Sequence, residues 1–232
     1  MALIFSILCL IIIAQNLANI SATDYCNIQS CKEIGAVHTM CMYTSSTPAA
    51  ACKQWSNQGL NDIEKEAILK KLNQLRQKIT SNLKKRVTGP LQTTIYMLDL
   101  SWDEELETIA QRWANQCIKD YNDCRDVERF EVIQYIASKS SLDENEFTLE
   151  DLIQSAYNQI FEMGKHYFPT LMNIENIMED YAYGLWANVT KVGCGRIKFK
   201  KSNGLTTHHG VCNYGLTGPH QKKLYVKIRE IN

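Results

Sequence analysis

Cysteines constrain the fold of this chain more than any other feature. The sequence has nine. Cys9 lies in an apolar N-terminal segment, and the other eight are Cys26, Cys31, Cys41, Cys52, Cys117, Cys124, Cys194 and Cys212. An even number of cysteines in an exported chain predicts disulfide bonds, here four. A metal cluster is the alternative, but the Cys-x2-Cys pairs typical of such clusters are absent. Spacing alone leaves the connectivity open.

The first 18 residues, MALIFSILCLIIIAQNLA, are almost continuously apolar. An apolar core of about 13 residues is too short to span a bilayer but suits a secretory signal. We therefore predict a signal peptide over residues 1–22, cleaved after Ala22, and a secreted, extracellular protein. No later segment is apolar for long enough to predict a transmembrane helix.

The charges of the chain balance, because 25 Lys and Arg residues face 25 Asp and Glu residues. A nucleic-acid-binding protein needs surplus positive charge to neutralise phosphates, so we expect no nucleic-acid partner. Local basic runs occur at residues 84–86, 198–201 and 222–223. We interpret them as solvated faces or strand ends, with an anionic-lipid site as the alternative.

The sequence pattern divides the mature chain at about residue 60. Residues 23–60 contain four cysteines and no sustained apolar period, which predicts a disulfide-tied N-terminal arm without helix or sheet. Residues 61–232 carry helical and strand periods and form the predicted main domain.

Four amphipathic helices are predicted in that domain. The first opens with an Asn61–Glu64 capping box and has an apolar face of Ile63, Ile68, Leu72, Leu75 and Ile79. The second follows a Ser101–Glu104 capping box, with its apolar residues at Leu106, Ile109, Ala110, Trp113, Ala114 and Cys117. The third begins at Thr148, with Asp151 as its reciprocal cap. The fourth has its apolar face at Ile174, Ile177, Met178, Tyr181 and Leu185.

Strands are predicted over 127–137, 192–200, 208–215 and 223–228 by β-branched or alternating residues. Helices combined with hairpin strands predict an α+β layered domain. His208 and His209 open one of these strands, and we expect them at the surface, with a metal-binding pair as the alternative. We expect His38, in the arm, to pack or hydrogen-bond locally.

Three motifs make the chain recognisable: LSWDEELETIAQRWANQC (100–117), WANVTKVGCGRIKF (186–199) and VCNYGLTGP (211–219). Together they resemble the CAP superfamily of cysteine-rich secretory, antigen 5 and pathogenesis-related proteins. The arm over 24–52 narrows the resemblance to insect antigen 5 proteins, and within them to the ant venom allergen 3 group.

This resemblance implies a CAP-type α-β-α sandwich, in which a largely antiparallel sheet lies between helical layers. It also implies the disulfide pairing Cys26–Cys41, Cys31–Cys124, Cys52–Cys117 and Cys194–Cys212.

The resemblance further implies a central cavity where two histidines and two acidic residues hold a divalent metal. In this sequence those four positions carry Tyr121, Gln134, Gln159 and Asp180. One carboxylate and two amides are poor zinc ligands, so we expect a degenerate cavity with no metal and no cofactor. We expect the Tyr121 ring to fill the volume of the lost histidines. Asp180 is interpreted as an exposed acid near a helix start, as a hydrogen-bonded partner of Tyr121 or Gln134, or as a catalytic acid.

The resemblance therefore favours a secreted, non-enzymatic protein that acts by surface contact or by carrying a small hydrophobic ligand. Its expected partners are a lipid, sterol or fatty acid, or host and extracellular proteins; the oligomeric state stays open. A metal-dependent hydrolase is disfavoured by the missing ligands. An ion-channel-directed toxin is disfavoured because no further cysteines follow Cys212. Asn188-Val-Thr is a glycosylation sequon, and Asn188 is a predicted glycan site.

Overall fold

The structure is a computed structural model that describes residues 23–86, 98–142, 147–155, 157–158 and 189–216, without the side chains of 79 and 82–86. The leader, the predicted fourth helix and the predicted strand 223–228 lie outside the described residues. So do three of the predicted site positions, Gln159, Asp180 and Asn188.

A five-stranded sheet forms the middle layer. Its strands are β1 (Lys53–Ser56), β2 (Ser101–Trp102), β3 (Val132–Ser141), β4 (Val189–Lys200) and β5 (Thr206–Leu216). The order is β1-β4-β5-β3 with antiparallel neighbours, and β2 pairs with β4 in parallel. The β4–β5 hairpin confirms the strands predicted over 192–200 and 208–215.

The strand predicted over 127–137 begins only at Val132. Val127 and Phe130 exchange backbone hydrogen bonds with each other, at 3.2 and 3.3 Å. The chain turns back on itself here, so this stretch cannot join the ladder despite its β-branched residues.

Helices cover both faces of the sheet. The main ones are α3 (Asp62–Arg86), α4 (Glu104–Ala114) and α5, the helical residues 149–155; α1 (Gln29–Glu33) and α2 (Thr39–Met42) are short helices of the arm. On one face, α3 and α5 pack against the sheet through Ile68, Leu72, Leu75, Leu149, Leu152, Ile153, Val192, Cys194, Cys212 and Tyr214. On the other face, α4 packs through Ala110, Trp113, Ala114, Ile197, Phe199 and Val211. Neighbouring strand residues point to opposite faces, so one strand serves both cores. The fold is the α+β, CAP-type α-β-α sandwich.

Two glycines of β4 let α4 lie directly on the sheet. A Cβ at Gly193 would stand 2.1 Å from the backbone nitrogen of Glu107, and one at Gly195 would stand 2.4 Å from the Cα of Gln111. Any larger residue would collide with helix backbone, which cannot rotate away. The Gly-Cys-Gly sequence around Cys194 is therefore a packing requirement.

Two of the three predicted capping boxes are confirmed. Asn61 and Glu64 cap each other reciprocally, and so do Thr148 and Asp151. The third is wrong: Asp103, not Ser101, caps α4, since its Oδ1 accepts from the Leu106 N–H at 3.1 Å. Ser101 is unavailable because it pairs with Lys191 in the sheet.

The apolar face of α3 starts later than predicted. Ile63 is 80% exposed, whereas Ile68, Leu72 and Leu75 are buried. Ile63 lies in the first turn of α3 and takes no part in the packed cluster, which on this helix begins at Ile68.

The arm contains more regular structure than predicted, because α1, α2, β1 and a 3₁₀ helix over Tyr25–Asn27 all lie in it. The sequence pattern predicted that the arm contains no helix and no sheet, and that prediction was wrong. Short capped turns form once covalent bonds fix the ends of the segment. His38 caps α2, with its Nδ1 accepting from the Met40 N–H at 3.0 Å.

Four disulfides are present, in the pairing that the resemblance implied. They are Cys26–Cys41, Cys31–Cys124, Cys52–Cys117 and Cys194–Cys212. Two of them join the arm to the segment after α4, and Cys194–Cys212 joins directly opposed residues of β4 and β5.

Candidate functional site

The candidate site centres on Gln134, in β3 on the face covered by α4. Its neighbour in the ladder is Asn213 of β5, and both residues are 0% exposed. Gln134 Nε2 donates to Asn213 Oδ1 at 3.0 Å, and Asn213 Nδ2 donates to the carbonyl of Leu106 at 3.4 Å. One end of the Gln134 amide is thus connected to the helix above it.

The other end of the Gln134 amide faces the arm. Its Oε1 accepts from the backbone N–H of Asn122 at 3.4 Å. The side chain of Asn122 donates to Thr39 Oγ1 and to the carbonyl of Cys124, the latter at 2.9 Å. Asn122 and Thr39 are also buried. A continuous polar network therefore connects α4, the sheet, the arm and the Cys31–Cys124 disulfide.

This network decides what Gln134 can do chemically. Its amide nitrogen donates and its amide oxygen accepts within the protein, so the side chain is occupied at both ends. Buried amides that are hydrogen-bonded within the protein help to fix a fold, and breaking such a network is costly. The geometry gives Gln134 a scaffolding role rather than that of a ligand.

Sequence reasoning missed Asn122, Asn213 and Thr39. A signal for Asn213 was present, because it is a polar residue in the middle of an apolar strand motif. The inward face of a strand normally carries apolar side chains, so a polar residue there needs a buried partner.

Tyr121 precedes Asn122 of the network in the chain and is itself partly exposed. Its side chain is 39% exposed, and its backbone N–H donates to Asp120 Oδ1 at 2.9 Å. This exposure contradicts the expectation that the ring fills an enclosed volume. The chain turns at Asp120, which directs Asn122 inward in its place.

The two cavity positions that the structure describes, Gln134 and Tyr121, carry poor ligands for a divalent metal. Of the four cavity positions the structure describes two, an occupied amide and an exposed phenol. Within the described ranges no three His, Cys, Asp or Glu residues lie close enough together to hold a metal ion.

His208 and His209 are buried, which corrects the expectation of a surface position. They are 6% and 1% exposed, and their rings pack against Phe147 and Phe199 respectively. The two rings occupy opposite faces of the sheet, so they cannot share a metal ion. The reason for their burial is non-local, because helices cover both faces of β5.

His209 is held neutral. Its Nδ1 lies 2.5 Å from Ser138 Oγ on the neighbouring strand. Burial, and secondarily the positive charge of Lys119, lower the pKa of His209 to about 4. A neutral, enclosed imidazole of this kind belongs to the core.

His38 connects the arm to the domain. It is 1% exposed, its ring stacks on Tyr25 at 4.8 Å, and its Nε2 lies 3.0 Å from the carbonyl of Asp126. Because its Nδ1 accepts from Met40, the proton must be on Nε2. Burial lowers the pKa of His38. The prediction of local bonding is confirmed, with a distant contact in addition.

Arg76 is the largest fully buried side chain among the described residues, at 1% exposure. Its guanidinium donates to the carbonyls of Leu98 and Val189, at 2.7 and 3.1 Å from Nη2. Burial lowers the pKa of Arg76 to about 10. Arg76 thus connects α3 to the start of β4. The apolar pattern of α3 in the sequence did not predict that this arginine is buried.

A shallow hollow lies at the sheet end of α5. Its lining residues are Asn57, Phe147, Leu149, Leu152, Arg196, Ile197, Lys198, His208 and His209, and its volume is about 270 Å³ including the part open to solvent. Arg196 is held by Glu64 at 2.5 Å. Because the volume of the hollow includes open solvent, the enclosed space is smaller than the roughly 300 Å³ at which sites for drug-sized ligands begin. None of the described helices is both long and apolar enough to cross a membrane.

This chain is similar in sequence to proteins of one known family. Residues 69–214 match the CAP family, described as the cysteine-rich secretory protein family. Venom allergen 3 of Solenopsis invicta is 48% identical over 222 residues, which cover 94% of this chain and 95% of that protein. A venom allergen 3 homolog of Dinoponera quadriceps is 39% identical over 223 residues, covering 95% and 96%.

Among solved structures, venom allergen-like protein 4 of Schistosoma mansoni is 21% identical, with a TM-score of 0.47. The match covers 72% of this chain and 96% of that one. The family match spans more than half of the chain, and the ant relatives are similar along nearly all of it. This chain belongs to the CAP, or cysteine-rich secretory protein, family and is similar to its insect venom allergens.

Proposed function

We propose that this CAP protein is secreted and non-enzymatic, and that it acts by surface contact with extracellular molecules. The supporting observation is the Gln134 network. At a position where the resemblance implies a metal ligand, this chain has a buried amide bonded at both ends. A buried amide bonded in this way stabilises the fold, and its neutral oxygen is a weak ligand for a metal.

The proposed organisation has three parts. Residues 1–22 form a signal peptide, 23–60 a cysteine-rich arm and 61–232 the CAP domain. Four disulfides support export, since such bonds persist in oxidising compartments. Expression of the whole chain in insect cells, with sequencing of the secreted product, tests this. We expect an N-terminus at Thr23, and retention of residues 1–22 would contradict it.

The degenerate cavity, with Tyr121, Gln134, Gln159 and Asp180 in the four ligand positions, is tested by calorimetric titration of the mature protein with Zn²⁺. We expect no stoichiometric binding. The matched variant Gln134→Ala removes the amide. Tight binding by the parent that this variant loses would show Gln134 to be a ligand and overturn the proposal.

Carriage of a small hydrophobic ligand, such as a lipid, sterol or fatty acid, is the second mode of action that the family resemblance raises. The hollow beside α5 favours surface contact, because its volume of about 270 Å³ includes space open to solvent and therefore encloses little room for a lipid. Mass spectrometry of lipids that co-purify with the mature protein discriminates the two modes. A stoichiometric lipid would establish carriage. A lipid-free protein that also fails to bind added fatty acids and sterols would leave surface contact as the mode of action.

We also propose a glycan on Asn188. Digestion of the secreted protein with an N-glycosidase should lower its mass, and Asn188→Gln should abolish that change. A secreted parent whose mass is unchanged by digestion would refute this modification.

A further inference from the structure

Four lysines from three separate parts of the chain meet at one end of the sheet. Lys53 of β1 pairs directly with Lys200 of β4, and Lys201 follows at the turn of the hairpin. Cys52, next to Lys53, is bonded to Cys117 with a Cα–Cα distance of 5.5 Å. That bond brings in Lys119, two residues after Cys117. We name Lys53, Lys119, Lys200 and Lys201 the lysine cluster.

The positive charge of the lysine cluster is not neutralised by the described residues. Of the ion pairs formed within the described ranges, none includes a lysine of the cluster. Asp120 adjoins Lys119 in sequence, but its Oδ1 accepts from the Tyr121 N–H at 2.9 Å. By contrast, Lys65 of α3 is neutralised by Glu107 at 2.8 Å.

Two members of the cluster are in direct electrostatic contact. Burial and the nearby charge of Lys201 both lower the pKa of Lys119. Like charges held together by a disulfide and a strand ladder repel each other, and an anion between them relieves the repulsion. Lys53 and Lys119 are exposed, whereas Lys200 and Lys201 are half-buried, so the cluster is open on one side.

The chain around the cluster also exposes apolar surface. Trp55, two residues after Lys53, is 46% exposed, and Ile118, next to Lys119, is 38% exposed. An aromatic ring beside cations favours a partner that offers both anionic groups and flat apolar faces, as sugar rings do.

We infer that the lysine cluster binds a sulfated polysaccharide outside the cell. The chain has no net charge, so attraction to polyanions must come from a local site. The inference rests on the proposed export. An exported chain meets sulfated sugars, whereas the negative surface potential of membranes belongs mainly to the cytoplasmic leaflet.

Counterion release gives the expected size of the effect. With about four charges neutralised, the logarithm of affinity should fall with that of salt at a slope near −3, as it does for nucleic acids. Affinity should then drop roughly 60-fold between about 50 and 200 mM salt. Removing two of the four lysines should bring the slope to about −1.5.

Surface plasmon resonance on immobilised heparin tests this, with the mature chain, its disulfides intact, as the analyte. The test variant is Lys119→Gln with Lys201→Gln. The matched control is Lys32→Gln with Lys70→Gln, two exposed lysines of α1 and α3 that lie outside the cluster. All four side chains are at least partly exposed, and the unfolding midpoint of each variant checks that folding is intact.

We expect the parent and the control to bind heparin equally, and the test variant to bind at least about tenfold more weakly with the halved salt slope. Equal losses in both variants would show that only net charge matters and would overturn the inference. So would absent binding to heparin, or cluster-dependent binding to phosphatidylserine vesicles in its place. Sequencing of the secreted product reports separately on export, so failure of the heparin inference is distinguishable from failure of the proposed function.

Discussion

The substitution Gln134→Glu tests the buried polar network most directly, because it changes one atom group in a residue that is 0% exposed. A carboxylate oxygen can still accept from the Asn122 N–H. The second oxygen, however, replaces a donor and faces Asn213 Oδ1, which lies 3.0 Å from the present Nε2. Rotating the Asn213 amide would relieve that contact but would give up its bond to Leu106. A protonated Glu avoids the conflict, since its hydroxyl donates.

The size of the effect follows from the burial of the carboxyl group. A Glu has a pKa near 4.3 when unfolded, and full burial raises it by about 3 units or more. Each unit corresponds to about 1.4 kcal/mol, so the variant should be about 4 kcal/mol less stable than the parent near pH 7.5. The raised pKa sets the sign: the variant approaches the parent below about pH 4.3 and loses stability as pH rises towards 7.

Equilibrium urea unfolding between about pH 4 and 8, with disulfides intact, measures the difference between variant and parent at each pH. Gln134→Leu is the control. It leaves Asn213 Oδ1 without its donor and should cost about 1–3 kcal/mol at every pH. A Gln134→Glu protein that stays as stable as the parent across this range would show that the position is solvated or cation-bound. Recovery of its lost stability on adding Zn²⁺ would likewise refute the scaffolding role.

Three further outcomes follow from the packing, charge and covalent structure. Gly193→Ala should destabilise by about 3 kcal/mol or more, at the upper end of overpacking costs, because its methyl would meet helix backbone at 2.1 Å; an unchanged urea midpoint would contradict direct contact. His209 should contribute a loss of about 3 kcal/mol to the stability of the parent between pH 6.5 and 4, because its pKa is about 4 when folded and the unfolded chain takes up the proton first; His209→Gln should flatten this part of the stability–pH curve, and an unaltered slope would assign it to other groups. Cys31→Ala with Cys124→Ala should cost about 4–5 kcal/mol in the unfolding free energy, since the bond spans 93 residues; a loss below about 1 kcal/mol would show that the arm is held without it.

Sequence reasoning succeeded where the cause is local. The caps at Asn61 and Thr148 depend only on residues three positions away, and both are present. It failed at Ser101, where the sequence has an equally good capping pattern. Ser101 instead pairs with a strand more than 80 positions away in the chain. The strand predicted over 127–137 was wrong at its start. Its first residues form a turn and therefore cannot join the sheet.

The candidate site divides in the same way. The substitutions at Tyr121, Gln134, Gln159 and Asp180 could be read from the sequence by resemblance. That Gln134 is bonded at both ends, and that Tyr121 faces solvent, depended on Asn122 and Asn213, which the fold brings to β3 from other segments.

The sequence by itself determined the expected number of disulfides, the hairpin strands and the apolar faces of the main helices. These follow from the even number of cysteines and from the spacing of apolar residues, which are local properties of the chain. Tertiary structure alone decided which polar residues are enclosed. His208 and His209 read as a surface pair and are buried, since helices distant in sequence cover both faces of β5. It likewise gathered four scattered lysines, through a strand pairing and the Cys52–Cys117 bond. Burial and charge density depend on what approaches a residue through space, and that information is not local to any stretch of the chain.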